Sequence, residues 1–519
     1  MQLVHSRETI VSATDSLLII WLLYCIGNAI CCTAGFSSIY PFLSIFGCYF
    51  VARFFRTCPH ILFWGIMGIG IWQSSLAIIQ NIGWAAGNNE VFIVTGSFSN
   101  PGQLGGFLSV STICTLCLGL QQDRKAKWFI MLPLFLIQGY ALILSDSRAG
   151  WIASIGGGLF LFWNYTISFR SKIKSSWLIK IVFCILLIVT LWGLYSHKPH
   201  SANGRLLVWR TSIDMIADKP LLGHGIGSFN RKYMLYQADY FANHPDSMFQ
   251  QYADNVIFPF NEFLYIWVEQ GAVGLLLLLS LVVCVLLIPA ENNSYKGALI
   301  AYTIFASFSY PSQIPGLLLL FPVLLASIHS QPLSINLPKK VYLGFIIATL
   351  FSIGLAGKEY LFREQSKSKI QDLFSSSPSK VKEAETFIFG HYERVLTYPQ
   401  IADIFAHYAF RHYEPEQAMV ILNDVRRVMP TSELYCELGD LYKTEINYNS
   451  ARECYLIASR MIPRRMTPKY KLFALLRDNG DTLSARRQGK EILSIPIRIE
   501  GTRVLRMKTE VRQFIEATE

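Results

Sequence analysis

A run of roughly 20 apolar residues is long enough to cross hydrocarbon as a helix. Inside the bilayer every backbone polar group must then find its partner within the segment. This chain repeats such runs at 16–35, 39–55, 61–82, 104–120, 128–144, 149–167, 177–195, 263–289, 298–308, 316–328 and 341–355. Composition agrees, with 52% hydrophobic and only 16% charged residues over 519 positions, far more apolar than a soluble chain of this length needs. The expected fold is all-α, a polytopic membrane bundle of about eleven transmembrane helices. The two short runs flanking Ser309-Tyr310-Pro311 also read as one broken hairpin.

Lys and Arg near span ends stay on the cytoplasmic side. Arg53 and Arg56, Arg124, Lys125 and Lys127, Arg170, Lys172 and Lys174, Lys296, and Lys339 and Lys340 fall in every second loop. The alternation puts the N terminus in the cytoplasm. It puts the 83–102 loop, residues 145–148, a large loop at 196–262 and the C-terminal region outside. Residues 1–15 are polar and the first apolar run is long, so a retained span is expected rather than a cleaved signal. The net charge of +11 is partly this topology signal, and no nucleic-acid partner is expected. Of the eleven cysteines, Cys436 and Cys454 stand apart in the exported tail, either as buried thiols or as a disulfide.

From residue 358 the chain turns charged and helix-forming. Ala418, Ala451 and Ala485 recur 33 and then 34 residues apart, and Pro430, Pro463 and Pro496 close each unit. Such a period of about 34 resembles tetratricopeptide repeats. The expected organisation is a membrane domain over 1–357, with its large periplasmic loop, and a helical α-solenoid over 358–519. The solenoid is either a docking surface for an acceptor or protein partner or a cap on the loop.

A loop of about sixty residues exceeds an ordinary connector, and it carries groups that hydrocarbon would not tolerate. Arg205 and Arg210 lie in GRLLVWR, and Arg148 lies in SDSRAGW on the same side. Five residues apart on a helix, Arg205 and Arg210 are offset by about 140° and can line one crevice without stacking. Guanidinium forks suit a dianion with planar oxygens, so these three arginines are candidates to hold a lipid diphosphate. A single arginine at a span end can equally snorkel to the interface. His224 in GHGIGSF and His244 in NHPDS, with Asp246, are the loop's other polar candidates, and His197 and His200 flank its entry. Without a preceding strand or a following Lys-Thr pair, GHGIGSF is not a nucleotide loop. No spacing suits a metal, and no cofactor is expected. A transporter is a further class, against which the spans lack deep ionisable residues and no inverted repeat is visible.

Taken in order and sidedness, GSFSNPG, SDSRAG, GRLLVWRTSIDMIADKPLLGHGIGSF and PFNEFLYIWVEQGAVG resemble the O-antigen ligase and polymerase superfamily, which includes protein O-oligosaccharyltransferases. The resemblance implies a bacterial inner-membrane glycosyltransferase that takes a glycan from undecaprenyl diphosphate. Its acceptor would be a hydroxyl on the periplasmic face: lipid A core in a ligase, a protein in the oligosaccharyltransferase, another glycan in a polymerase. It implies that Arg148, Arg205 and Arg210 hold the diphosphate while a histidine assists the acceptor. At the usual His-Asn positions this chain reads Phe260-Asn261, so the histidine is missing. Either His244 takes its place, or Glu262 or Asp246 supplies the base, or the arginines suffice with a weakly assisted hydroxyl; His244 is expected first, with Asn261 capping its helix and His224 in support. An inactive scaffold is the reading that the missing histidine favours.

Overall fold

The computed structural model describes residues 12–32, 38–54, 59–89, 91–120, 125–168, 199–288, 293–328, 339–496 and 501–518. The expected seventh span at 177–195, His197, Arg56, Arg124, Arg170, Lys172 and Lys174 lie outside them. All regular structure among the described residues is helical. The membrane part runs α1 (Ala13–Cys31), α2 (Tyr40–Phe54), α3 (Pro59–Asn81), α4 (Pro101–Leu120), α5 (Lys125–Leu144), α6 (Arg148–Ser168), α7 (Pro199–Asp218), α8 (Ser228–Asn243), α9 (Glu262–Leu287), α10 (Tyr295–Ala306), α11 (Pro315–Ser327) and α12 (Lys339–Asp372). By length and composition, Ala13–Cys31, His60–Asn81, Pro101–Leu120 and Glu262–Leu287 can each cross a membrane, while Phe129–Leu144 and Pro315–Ser327 are apolar but shorter.

With lipid outside, helix association depends on close contact and interhelical hydrogen bonds rather than on hydrophobic gain. Both are present. A Cβ on Gly157 of α6 would lie 2.8 Å from the Gly297 carbonyl of α10, and one on Gly150 would lie 2.6 Å from the Gly105 carbonyl of α4. Gln138 of α5 joins α4 through Ser111 Oγ at 2.9 Å and Thr115 Oγ1 at 2.9 Å. At the opposite end Asp15 is buried, receiving Tyr49 Oη at 2.6 Å and Arg53 Nη2 at 2.8 Å. The two charges and the phenol satisfy one another, which a buried ion pair requires.

Inside α9, Gly271 adopts φ 68° and ψ −172°, which breaks the ladder of a span. The segment 220–229 repairs it. Ala272 N donates to Pro220 O at 2.8 Å and Val273 N to Leu221 O at 3.2 Å. In return, His224 N reaches Val268 O and Gly225 N reaches Glu269 O, both at 2.8 Å. The Glu269 carboxylate accepts from Phe229 N at 3.2 Å, at the start of α8. Tyr24 and Cys25 of α1 bind Gln270 from the other side, through its carbonyl at 2.6 Å and its side chain at 3.2 Å. GHGIGSF and VEQGAVG are therefore two halves of one clasp.

The tail continues as α13 (Pro378–Gly390), α14 (Tyr392–Leu396), α15 (Pro399–His412), α16 (Pro415–Val428), α17 (Ser432–Thr444), α18 (Tyr448–Met461), α19 (Met466–Asp478), α20 (Thr482–Ser494) and α21 (Thr502–Thr518). From α15 onward each helix packs on the next. Ala418, Ala451 and Ala485 are fully buried. Cys436 and Cys454 are buried free thiols, so the disulfide alternative does not hold. α12 passes through residue 358 as one helix. Loop and tail share a single core, in which Val208, Phe229 and Tyr233 pack with Phe405, Leu438 and Met461. Gln237 Nε2 donates to Met461 O at 2.7 Å and Asn255 Nδ2 to Glu433 Oε2 at 2.6 Å, so the tail buttresses the loop.

Two outcomes follow. Gly271→Ala adds a Cβ 2.1 Å from Leu221 O on a left-handed backbone, which should cost about 3 kcal/mol and lower the thermal unfolding midpoint in detergent. Gly68→Ala, with nothing within 4 Å of the new atom, should leave the midpoint unchanged. In the tail, burial opposes protonation of His407, but the hydrogen bond from Nδ1 to Glu437 Oε2 at 2.7 Å outweighs it and, with Asp403 nearby, raises the imidazole above its ordinary value. A raised histidine stabilises the fold below its unfolded pKa and loses that contribution as pH rises through the folded one. Melting of the protein across pH 5.5 to 8.5 should therefore show a loss of stability with rising pH that His407→Gln reduces.

Candidate active site

The first wall of the site is the 94–103 segment, held to α3 by two glutamines one above the other. Gln80 Oε1 accepts from Thr95 N at 2.9 Å and Gly96 N at 2.8 Å, and its Nε2 returns to Gly96 O at 2.9 Å. Gln73 holds Ser97 in the same two-sided way, at 3.0 Å and 2.6 Å. Asn100 Oδ1 then takes Gly102 N at 2.7 Å, starting α4 and placing Gln103 in its first turn.

Arg148 opens α6. Ser147 Oγ accepts Gly150 N at 3.3 Å, as an N-cap residue does. The close approach of Gly150 to Gly105 fixes that end of the helix against α4. On α7, Trp209 Nε1 donates to Pro259 O at 2.8 Å and so sets the rotation that turns Arg205, four residues earlier, inward. The Arg205 guanidinium lies 5.3 Å from the centre of the Phe260 ring. Burial, then repulsion from Arg148, push its pKa down to about 10, against a small opposing pull from Tyr310. Two cations are thus held near each other in a partly dry place. That arrangement favours an anion between or beside them.

Phe260 is held at φ 53°, a region a bulky residue rarely occupies. The next residue, Asn261, is the N-cap of α9, its Oδ1 accepting Phe263 N at 3.0 Å and Leu264 N at 3.1 Å. Glu262 follows at the positive end of the helix, where a carboxylate is favoured. It is buried and accepts Ser312 N at 3.2 Å. Residues 307–314, between α10 and α11, supply the last wall. Tyr310 stacks on Phe258 with ring centres 4.5 Å apart, meets Phe260 edge-on at 5.5 Å, and has the Gln103 side chain beside its phenol.

Arg205 thus meets the aromatic cluster with Arg148 near it, and Asn261 and Glu262 follow Phe260 directly in the chain. The other expected residues sit elsewhere. Arg210 is exposed, with Asp214 Oδ1 4.0 Å from its Nε. His244 ends α8 on the surface, stacked on Tyr240 and bonded through Nδ1 to the Tyr240 carbonyl at 2.9 Å. Asp246, two residues on, is exposed. His224 belongs to the clasp. Its Nε2 meets Met215 O at 2.8 Å, so Nε2 carries the proton and Nδ1 accepts from Lys232 Nζ at 3.1 Å. Burial also lowers its pKa. Both ring nitrogens are committed, which leaves it no proton to move.

Sequence reasoning overlooked Tyr310 and Gln103. Tyr310 was visible only as part of the break between two short spans. Gln103 sat two residues into an apolar helix with nothing to mark it.

Residues 133–279 match the protein family described as O-antigen ligase. The chain carries an O-antigen ligase-type domain. That domain includes Arg148, Arg205, Phe260, Glu262 and both halves of the clasp, while Gln103 and Tyr310 lie outside the match. A Rickettsia conorii protein named as a candidate polysaccharide ligase is similar to the chain, 28% identical over 210 residues. The aligned part covers 39% of this chain and 49% of the relative, so the chain spans about half the length of that protein. Its apolar helices together with the ligase-type domain make this a multi-pass membrane protein.

Proposed function

We propose that this protein transfers an oligosaccharide or polysaccharide from undecaprenyl diphosphate to an acceptor hydroxyl at the periplasmic face, with lipid A core as the acceptor. The observation that carries this reading is the meeting of Arg148 and Arg205 beside the Phe260–Tyr310 pair. The two guanidiniums hold the diphosphate and stabilise the charge that grows on it as it leaves. The acceptor oxygen attacks the anomeric carbon and the carbon–phosphate oxygen bond breaks. Undecaprenyl diphosphate departs with the electron pair. Glu262 takes the acceptor proton in the role that the missing histidine leaves open, because its helix end, rather than His244, borders the arginines. Arg210 stands outside this pair.

The lengths of α10 and α11 support a donor entering sideways. At 12 and 13 residues they rise about 18 and 20 Å, well short of the roughly 30 Å hydrocarbon core. The Tyr310 loop therefore ends within the outer half of the bilayer if the inner ends lie at the inner boundary, as Lys296 suggests by binding Leu286 O and Ile288 O at 2.9 and 2.8 Å. A lipid diphosphate reaches such a crevice without leaving its leaflet. A protein acceptor is the second reading, favoured by the tail's docking on the loop that carries Arg205.

Purified protein in detergent, given labelled glycan on undecaprenyl diphosphate, lipid A core and a serine-rich peptide, tests both readings. Label is expected on lipid A core. Label on the peptide alone would move the protein-modifying reading ahead, and no release of undecaprenyl diphosphate with either acceptor would remove the enzyme. Arg148→Ala and Arg205→Ala should each slow transfer by about 100-fold or more. Glu262→Gln should slow it at least about tenfold, with His244→Ala close to wild type. The reverse order for the last two would return the proton to the histidine.

A further inference from the structure

Among the described residues, one face of α7 has no protein against it. Leu206, Arg210, Ile213 and Ala217 follow one another at helical spacing and are exposed, Leu206 to 44% and Ile213 to 50%. The stripe continues past the helix end into Leu221 and Leu222, exposed to 67% and 64%. The other side of the same helix is also apolar, with Leu207, Val208 and Met215 buried. A helix apolar on both sides is not the usual state of a surface helix in water. An outward apolar stripe of this length marks a contact site.

The neighbouring chain identifies the contact. Leu222 O accepts from Asn28 Nδ2 at 3.3 Å, and Asn28 Oδ1 accepts from Ile226 N at 3.1 Å. Asn28 is in the last turn of α1, a span whose outer surface shows Ile20, Leu23 and Ile30. The exposed leucines are therefore level with the end of a membrane span whose outer surface is itself apolar. Arg210, within the stripe, and Lys219, just past the helix end, are both exposed, as cations are where they meet headgroup phosphates.

We propose that α7 and the Pro220–Leu222 turn lie on the outer leaflet, with Leu206, Ile213, Leu221 and Leu222 in the acyl boundary and Arg210 on lipid headgroup phosphate. Arg205, about 140° around the helix from Arg210, then faces the protein crevice at headgroup level. This surface does not depend on the transferase reading, and it gives Arg210 a different task from the one its sequence position suggests.

The test uses the full-length protein in nanodiscs of phosphatidylethanolamine and phosphatidylglycerol, with Leu206→p-benzoylphenylalanine or Ile213→p-benzoylphenylalanine. Leu483→p-benzoylphenylalanine is the control, a leucine 82% exposed on α20 of the tail. After irradiation, intact-mass measurement should show a phospholipid adduct at 206 and 213 and none at 483. Cross-links at 206 and 213 to protein, whether within the chain or to a second copy, would overturn the proposal. So would the absence of any adduct there, or an equal lipid adduct at 483. Because the readout is lipid mass, a failed glycan-transfer assay leaves this result independent.

Discussion

A span that breaks in the middle of its hydrogen-bond ladder leaves amides and carbonyls without partners where water is scarce, and each would cost several kcal/mol. The break at Gly271 is tolerated because Pro220, Leu221, His224 and Gly225 supply the missing partners in pairs, two carbonyls for two amides and two amides for two carbonyls. The site depends on this exchange. The same clasp ties the end of α7 to α9, and α7 carries Arg205 while the start of α9 carries Asn261 and Glu262. Glu269 extends the tie to α8, and α8 extends it to the tail through Gln237. The membrane span, the segment 199–261 and the C-terminal helices are consequently one mechanical unit around one glycine.

On that frame the electrostatics are simple. Arg205 is partly desolvated and repelled by Arg148, and it is faced by the Phe260 ring and the Tyr310 phenol. A cation over an aromatic face is stabilised by about 0.5–2 kcal/mol, much less than a diphosphate would provide in a dry crevice. The aromatic contact keeps the guanidinium in position without neutralising it. Phe260 thus has a physical role at the place where the resemblance leads one to expect histidine, and Glu262, two residues on, is a buried carboxylate.

Much of this was legible in the sequence because it followed from residue type and period. Among the described residues the apolar runs mark helices, and the four motifs that carried the resemblance come together. Asn261 followed from its position before an apolar run. What was not legible depends on contacts distant in sequence. GHGIGSF lacks the marks of a nucleotide loop, but its partner lies more than forty residues on, in a helix whose break shows only as one glycine among many. Tyr310 and Gln103 meet across some two hundred residues. His224 and His244 attracted interest as histidines, yet one is locked between a carbonyl and a lysine and the other rests on its own helix. Side-chain type alone could not tell a proton carrier from a packed ring.

The central claim is that Arg148 and Arg205 form the seat of the donor diphosphate. An electron cryo-microscopy map of the protein in nanodiscs with undecaprenyl diphosphate tests it most directly. The account predicts diphosphate density contacting both guanidiniums beside Phe260 and Tyr310, with the polyprenyl chain running into the outer leaflet. Diphosphate density at Arg210 or in the His244 turn, with Arg148 and Arg205 unoccupied, would contradict it.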